Sequence, residues 1–152
     1  MQSRRDMITT SVTVAGLLAT AGLLPATAQA AWPKDAFAGK TMAEVAKAMG
    51  GSAPVVSADV TVSGPDIAEN GAVVPVGAST TLTGVKSLLL MVEKNPSVLA
   101  AVFDVTDSVE PSFNTRVKMG QSSNVYAVAL MNDGKMLYAV KEIKVTLGGC
   151  GG

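Results

Sequence analysis

The 152-residue chain contains no histidine and a single cysteine, Cys150. Without histidine it lacks the usual general base near neutral pH, the commonest metal-ligating side chain and the base of a Cys–His or Ser–His nucleophile pair. One cysteine excludes a disulfide within the chain and a multi-cysteine zinc site. Aromatic residues are few, three Phe, two Tyr and one Trp, which leaves little for a platform on which bases could stack. Lys plus Arg and Asp plus Glu both number 12, so the chain has no basic field for nucleic acid. The remaining charges form no catalytic constellation. Glu93, Lys94, Asp104, Asp107 and Glu110 fall at expected strand ends and loops. Arg116 and Lys118 alternate outward from Val117 and Met119 as a polar sheet face, a weak anion contact being their other reading. These absences argue against an enzyme that acts alone.

The length suits one domain with a core of its own. Residues 1–30 read as an address. Ser3-Arg4-Arg5-Asp6-Met7-Ile8 resembles a twin-arginine export signal, with Arg4 and Arg5 as the pair that carries it. The weakly apolar stretch from Thr9 to Leu24 is shorter than the roughly 20 residues a membrane span needs. Pro25 breaks it, and Ala28-Gln29-Ala30 offers a small-residue cleavage site. The mature part is therefore expected to begin near Ala31, in the periplasm and without a membrane anchor.

Residues 31–147 read as a β-sandwich preceded by a short helix near 42–49. Thr41-Met42-Ala43-Glu44 has the form of a capping box, Met42, Val45 and Met49 share a helical face, and Gly50-Gly51 ends it. After Pro54 the apolar period becomes two, in segments beginning near Val60, Val73, Val85, Leu99, Phe113, Val125 and Lys135. About seven short strands at this spacing point to an all-β, immunoglobulin-like sandwich. Asn132-Asp133-Gly134 marks the last hairpin. Pro75 is expected to confine its strand to an edge or a bulge. Leu88–Val92 and Val125–Met131 are apolar on both faces, so either an interaction partner or the N-terminal helix must cover the outer one. By parity, Leu89 is grouped with Ala129 and Leu88 with Val128. The last strand changes parity between Met136-Tyr138-Val140 and Ile143-Val145-Leu147, which predicts a bulge at Lys141-Glu142 or cover on both faces.

The chain closes on Gly148-Gly149-Cys150-Gly151-Gly152. Glycine on both sides of the cysteine weakens any helix or strand there, and a thiol kept only for packing belongs among Val and Leu. Residues 148–152 are read as a mobile arm of roughly 17 Å when extended, thin enough to enter a narrow channel. Only the thiolate is nucleophilic, and a free cysteine has a pKa of about 8.5. With the terminal carboxylate nearby and no adjacent cation, activation is expected to come from a partner's site.

Val145-Thr146-Leu147 followed by this pentapeptide resembles the C-terminus of the SoxY family, the sulfur-carrying subunits of bacterial thiosulfate-oxidising Sox systems. The blocks Ile67–Val76, Val92-Glu93-Lys94-Asn95-Pro96, Thr115–Met119 and Ser123-Asn124-Val125-Tyr126 carry the same resemblance. It implies a sandwich carrier with sulfur covalently attached to Cys150, Gly148, Gly149, Gly151 and Gly152 supplying arm flexibility, and no cofactor or catalytic residue of its own. It implies a SoxZ-like heterodimer partner exported together with the chain. It also implies a haem enzyme that conjugates thiosulfate, a hydrolase that releases sulfate and, where present, a molybdenum–haem sulfane dehydrogenase. Two other readings stand beside it: a structural sandwich dimerising through Cys150, and a C-terminal diglycine carrier that forms a thiocarboxylate.

Overall fold

The computed structural model describes residues 33–146. Among them are two short helices, α1 (Lys34–Ala38) and α2 (Met42–Ala48), and nine strands. The strands are β1 (Val55–Val56), β2 (Val60–Ser63), β3 (Ile67–Ala68), β4 (Val74–Thr80), β5 (Val85–Val92), β6 (Leu99–Asp104), β7 (Ser112–Val117), β8 (Ser123–Met131) and β9 (Met136–Val145). The seven expected strands are present, with β1 and β3 as two-residue additions that both run parallel to β9. The larger sheet has the order β1-β9-β8-β5-β6, with β3 also on β9, and the smaller is β2-β4-β7. The result is an all-β sandwich with a helical layer on the outer face of its larger sheet.

That third layer answers the two-faced strands. Leu88 and Leu90 point into the sandwich core with Val125, Ala127 and Ala129. Leu89, Met91, Val128 and Leu130 point the other way and are buried with Ala36, Val45 and Ala46 of the helices. Leu88, Leu89, Leu90 and Met91 are all 0% exposed. The helices, two rather than the one expected, therefore cover the apolar outer face, which is no free docking surface. Directly opposed residues share a face in an antiparallel pair. The register sets Leu88 opposite Ala129 and Leu89 opposite Val128, so the expected grouping of Leu89 with Ala129 is incorrect.

The same cover explains β9. Its pairing with β8 runs without a register shift from Ser123↔Ile143 to Leu130↔Met136, so the bulge is absent. Met136 and Tyr138 lie on the helix side, while Leu137, Ala139, Ile143 and Val145 lie on the sandwich side. The parity change marks where the helices stop: Val140, on their side of the strand, is exposed.

Local signals set the ends of the elements. The Thr41 side chain accepts from Glu44 N–H at 3.2 Å. The Glu44 carboxylate accepts from Lys40 N–H at 2.8 Å, one residue before the position a capping box uses. At the other end Gly50, with φ +73°, lets Gly51 N–H reach Ala46 O and Gly50 N–H reach Lys47 O, the Schellman arrangement. Gly134, at φ +84°, turns the β8–β9 hairpin where a side chain would be strained. Pro75 lies on the central strand of the smaller sheet rather than an edge, and no bulge accompanies it. Thr80 N–H bonds Pro111 O on the β7 side, so Pro75, of opposite parity, faces the β2 side. There β2 has already ended, at Ser63↔Gly77, and no ladder donor is lost.

Because both faces of β5 are dry, Leu89→Ala and Leu88→Ala are expected to destabilise the domain comparably, by about 2–5 kcal/mol each. Urea unfolding measures this. A Leu89→Ala cost below about 1 kcal/mol beside a large Leu88→Ala cost would contradict the helical cover.

Candidate functional site: the rim at the end of the last strand

β9 runs the length of the larger sheet and carries the chain to one end of the sandwich, where description stops at Thr146. Those final residues are held from two sides. On the β3 side, Lys144 N–H donates to Asp66 O at 2.9 Å and Thr146 N–H to Ala68 O at 3.1 Å. The Thr146 hydroxyl donates to Glu69 O at 3.2 Å. On the other side, Val145 N–H donates to Ser122 Oγ at 2.9 Å. The Lys141 ammonium adds a contact of 2.8 Å to Asp66 Oδ1.

The neighbouring turns are joined to the same rim. Lys94 N–H donates to Ser123 Oγ at 3.1 Å, and Glu93 N–H to Asn124 O at 3.1 Å. The Asn124 amide donates to Glu93 Oε2 at 2.9 Å. Asn95 Nδ2 donates to Lys118 O at 2.7 Å, and Met119 N–H to Gly71 O at 2.7 Å. Asn70 Oδ1 accepts from Ala72 N–H at 2.9 Å and closes its own turn. The blocks 67–76, 92–96, 115–119 and 123–126, far apart in sequence, thus meet at the end of β9. Asn95, Ser122 and Ser123 do this joining, and sequence reasoning gave them no role. Asn95 and Ser123 fall inside the quoted blocks, which was the available signal; Ser122 stands one residue outside.

Cys150, Gly148, Gly149, Gly151 and Gly152 lie outside the described residues, as do Arg4 and Arg5 of the export signal. Covalent geometry places Cys150 four residues beyond Thr146, within about 14 Å of a fixed point on the rim. Arg116 and Lys118 are exposed at the end of β7. Together with Asn95, Ser97 and Ala100 they line a cleft of about 430 Å³ between the edge strands β6 and β7. Further along that edge, Phe103 and Phe113 stack at 4.7 Å and close the gap between the sheets. Among the described residues, no group of three or more His, Cys, Asp or Glu side chains could hold a metal ion. Tyr126, beside the helices, has its pKa raised by burial and then by the Glu93 charge.

Fold and rim together define a β-sandwich protein whose last strand is hydrogen-bonded from both sides just before a glycine-flanked cysteine in the sequence. Residues 45–150 match the family described as sulfur oxidation protein SoxY, and the chain belongs to that family. It is similar to the structure of the sulfur carrier protein SoxY from Chlorobium limicola f thiosulfatophilum, at 34% identity and TM-score 0.56, over 62% of this chain and 84% of that one. A superoxide reductase (neelaredoxin) structure from Ignicoccus hospitalis matches at 21% identity and TM-score 0.50, over 57% of this chain and 78% of its own. Another from the same organism matches at 19% and 0.50, over 68% and 86%. At those identities they share the fold alone. No curated protein matches the chain significantly.

The rim clamp has a pH dependence of definite sign. The Lys141 side chain holds the Asp66 carboxyl below the usual range, first by its hydrogen bond and then by its charge. A carboxyl lowered by folding contributes fully above its unfolded pKa, about 3.9, and the contribution is lost as pH falls through the lowered value. Protection of the Lys144 and Thr146 amides from hydrogen exchange is expected to weaken on acidification in the wild type. In Asp66→Asn that extra acid dependence should be absent; an unchanged dependence would remove the pair from the clamp.

Proposed function

We propose that the chain is a carrier of sulfur intermediates in thiosulfate oxidation, exported to the periplasm by the twin-arginine route and loaded at Cys150. The observation that carries this reading is the extent of the family match, which runs through residue 150 and so includes the cysteine. The structural likeness to a sulfur carrier protein supports it, as does the rim, whose bonds hold the root of the segment bearing Cys150.

In loading, the Cys150 sulfur bonds to the sulfane sulfur of thiosulfate. The thiol proton is released and a haem enzyme accepts two electrons, leaving cysteine S-thiosulfonate. A hydrolase then adds water across the terminal S–S bond, releasing sulfate and a proton and leaving a persulfide. A sulfane dehydrogenase then accepts six electrons from the outer sulfur while three waters supply its oxygens and seven protons leave, giving a cysteine S-sulfonate. A second hydrolysis releases sulfate and a proton and restores the thiol. The carrier contributes reach and presentation, and the partners supply cofactors and bases. A SoxZ-like subunit is its proposed constant partner. Val55, Val56 and Val140, exposed along the β1–β9 side, support a contact there.

Intact mass of the protein from thiosulfate-grown cells is expected to show sulfur adducts that are absent in Cys150→Ser, with the variant's unfolding curve unchanged. A wild type carrying no adduct, or a Cys150→Ser variant that keeps thiosulfate-dependent turnover, would sink the proposal. Gly149→Val and Gly151→Val are expected to slow turnover strongly while leaving alkylation of Cys150 by a small reagent near wild type. A β-branched residue stiffens and widens the segment without adding charge. Unchanged turnover in both variants would show that no narrow site is entered.

A further inference from the structure

The end of the sandwich where β9 begins, away from Thr146, holds a preformed cavity. The register sets Val85 opposite Met131, Ser87 opposite Asp104 and Ser79 opposite Ser112. It thereby gathers three connections at that end: residues 81–84 before β5, 105–111 between β6 and β7, and 132–135 of the final hairpin. Backbone bonds join them to their neighbours. Asn132 N–H donates to Gly84 O at 2.9 Å, Val105 N–H to Lys86 O at 2.9 Å and Thr80 N–H to Pro111 O at 3.0 Å. Val109 N–H closes a turn onto Thr106 O at 3.0 Å. Between the connections lies a cavity of about 510 Å³, a size usual for ligand pockets.

Its base is apolar and its lip is anionic. Val85 belongs to the sandwich core, and Leu82 and Val105 pack against that core, so the base is fixed by the fold. Val109 also lines the cavity and is exposed. Asp107 lines it too, and Glu110 follows Val109, so two exposed carboxylates straddle one exposed apolar side chain. Among the described residues the ion pairs are Lys135–Asp133 and Lys141–Asp66, which leaves Asp107 and Glu110 unpaired there. Between Lys94 and Arg116 the chain has three acidic residues, Asp104, Asp107 and Glu110, and no Lys or Arg. Asp104 is engaged by β5, its Oδ1 accepting from the Ser87 hydroxyl at 2.8 Å. The neighbouring cations leave the lip negative: Lys135 is held by Asp133, and Lys86 does not line the cavity.

We propose that this cavity is a docking site for a basic, extended segment of a partner protein. One apolar side chain of the segment enters against Leu82, Val105 and Val109, and Lys or Arg side chains on either side of it meet Asp107 and Glu110. Complementary charge fixes the sign of the partner and suppresses acidic competitors. The extended form follows from the order of the lip, anion, apolar residue, anion. In an extended chain every second side chain faces the same way, so positions i, i+2 and i+4 offer a cation, an apolar group and a second cation to one surface. The inference stands apart from the carrier reading, because it uses no property of Cys150.

The test titrates the full chain with capped pentapeptides at millimolar concentration and follows backbone amide resonances. KALAK supplies the proposed pattern, EALAE reverses its charge and KASAK removes its apolar side chain. Saturable shifts at residues 82–85 and 105–110 are expected with KALAK, none with EALAE and clearly weaker binding with KASAK. Affinity for KALAK should fall about fivefold in Asp107→Asn/Glu110→Gln, through loss of two exposed ion pairs, and fall similarly at about 0.5 M salt, where screening is strong. The double variant's urea unfolding should match wild type, since both side chains are exposed. If the variant folds poorly, the charge-reversed peptide and the salt series on the wild type decide. No saturable shift with KALAK, equal binding of KALAK and EALAE, or shifts confined to other residues would each overturn the proposal.

Discussion

The central strands of the larger sheet have no polar face, and the rest of the architecture follows from hiding both sides. One side of β5 and β8 closes against the smaller sheet and the other against α1 and α2. A cavity left by one buried leucine costs several kcal/mol, so neither cover is dispensable. The helices also attach by hydrogen bonds to the turn between β5 and β6: Val98 N–H donates to Gly39 O, Ser97 Oγ to Phe37 O, and Lys40 Nζ to Pro96 O. The N-terminal layer therefore positions this turn as well as covering the sheet.

The turn is one wall of the rim. Through Lys94 and Asn95 it bonds the start of β8 and the end of β7, and through Ser122 that region bonds β9. A continuous set of backbone and short side-chain bonds thus leads from the helical layer to the last described residue. Each such bond contributes about 1 kcal/mol net, and together they define where the cysteine segment begins.

Charge at the rim is divided between structure and availability. Lys141 is taken by Asp66 and reinforces the clamp, whereas Arg116 and Lys118 stay open to the cleft. Exposed pairs add little stability, so the Lys141–Asp66 contact matters chiefly for where it joins β9 to the β3 side.

Much of this was legible in the amino-acid order. Alternation of apolar residues located the strands, and Asn132-Asp133-Gly134 located the final hairpin. Such signals are local: a period, a turn residue or a rare side chain is written into consecutive positions. The order of residues did not reveal which cover lay over Leu89 and Val128, or why β9 changes parity at Val140. Either a partner or a helix satisfies the same apolar pattern, and only tertiary packing selects one. Nor did it show that Asn95, Ser122 and Ser123 join the turns, since hydrogen bonds across tens of residues leave no periodic trace. The sequence by itself determined that one thiol, Cys150, stands between glycines. What holds the end of β9 was decided by the tertiary structure, because only folding brings residues 67–76, 92–96, 115–119 and 123–126 to the end of one strand.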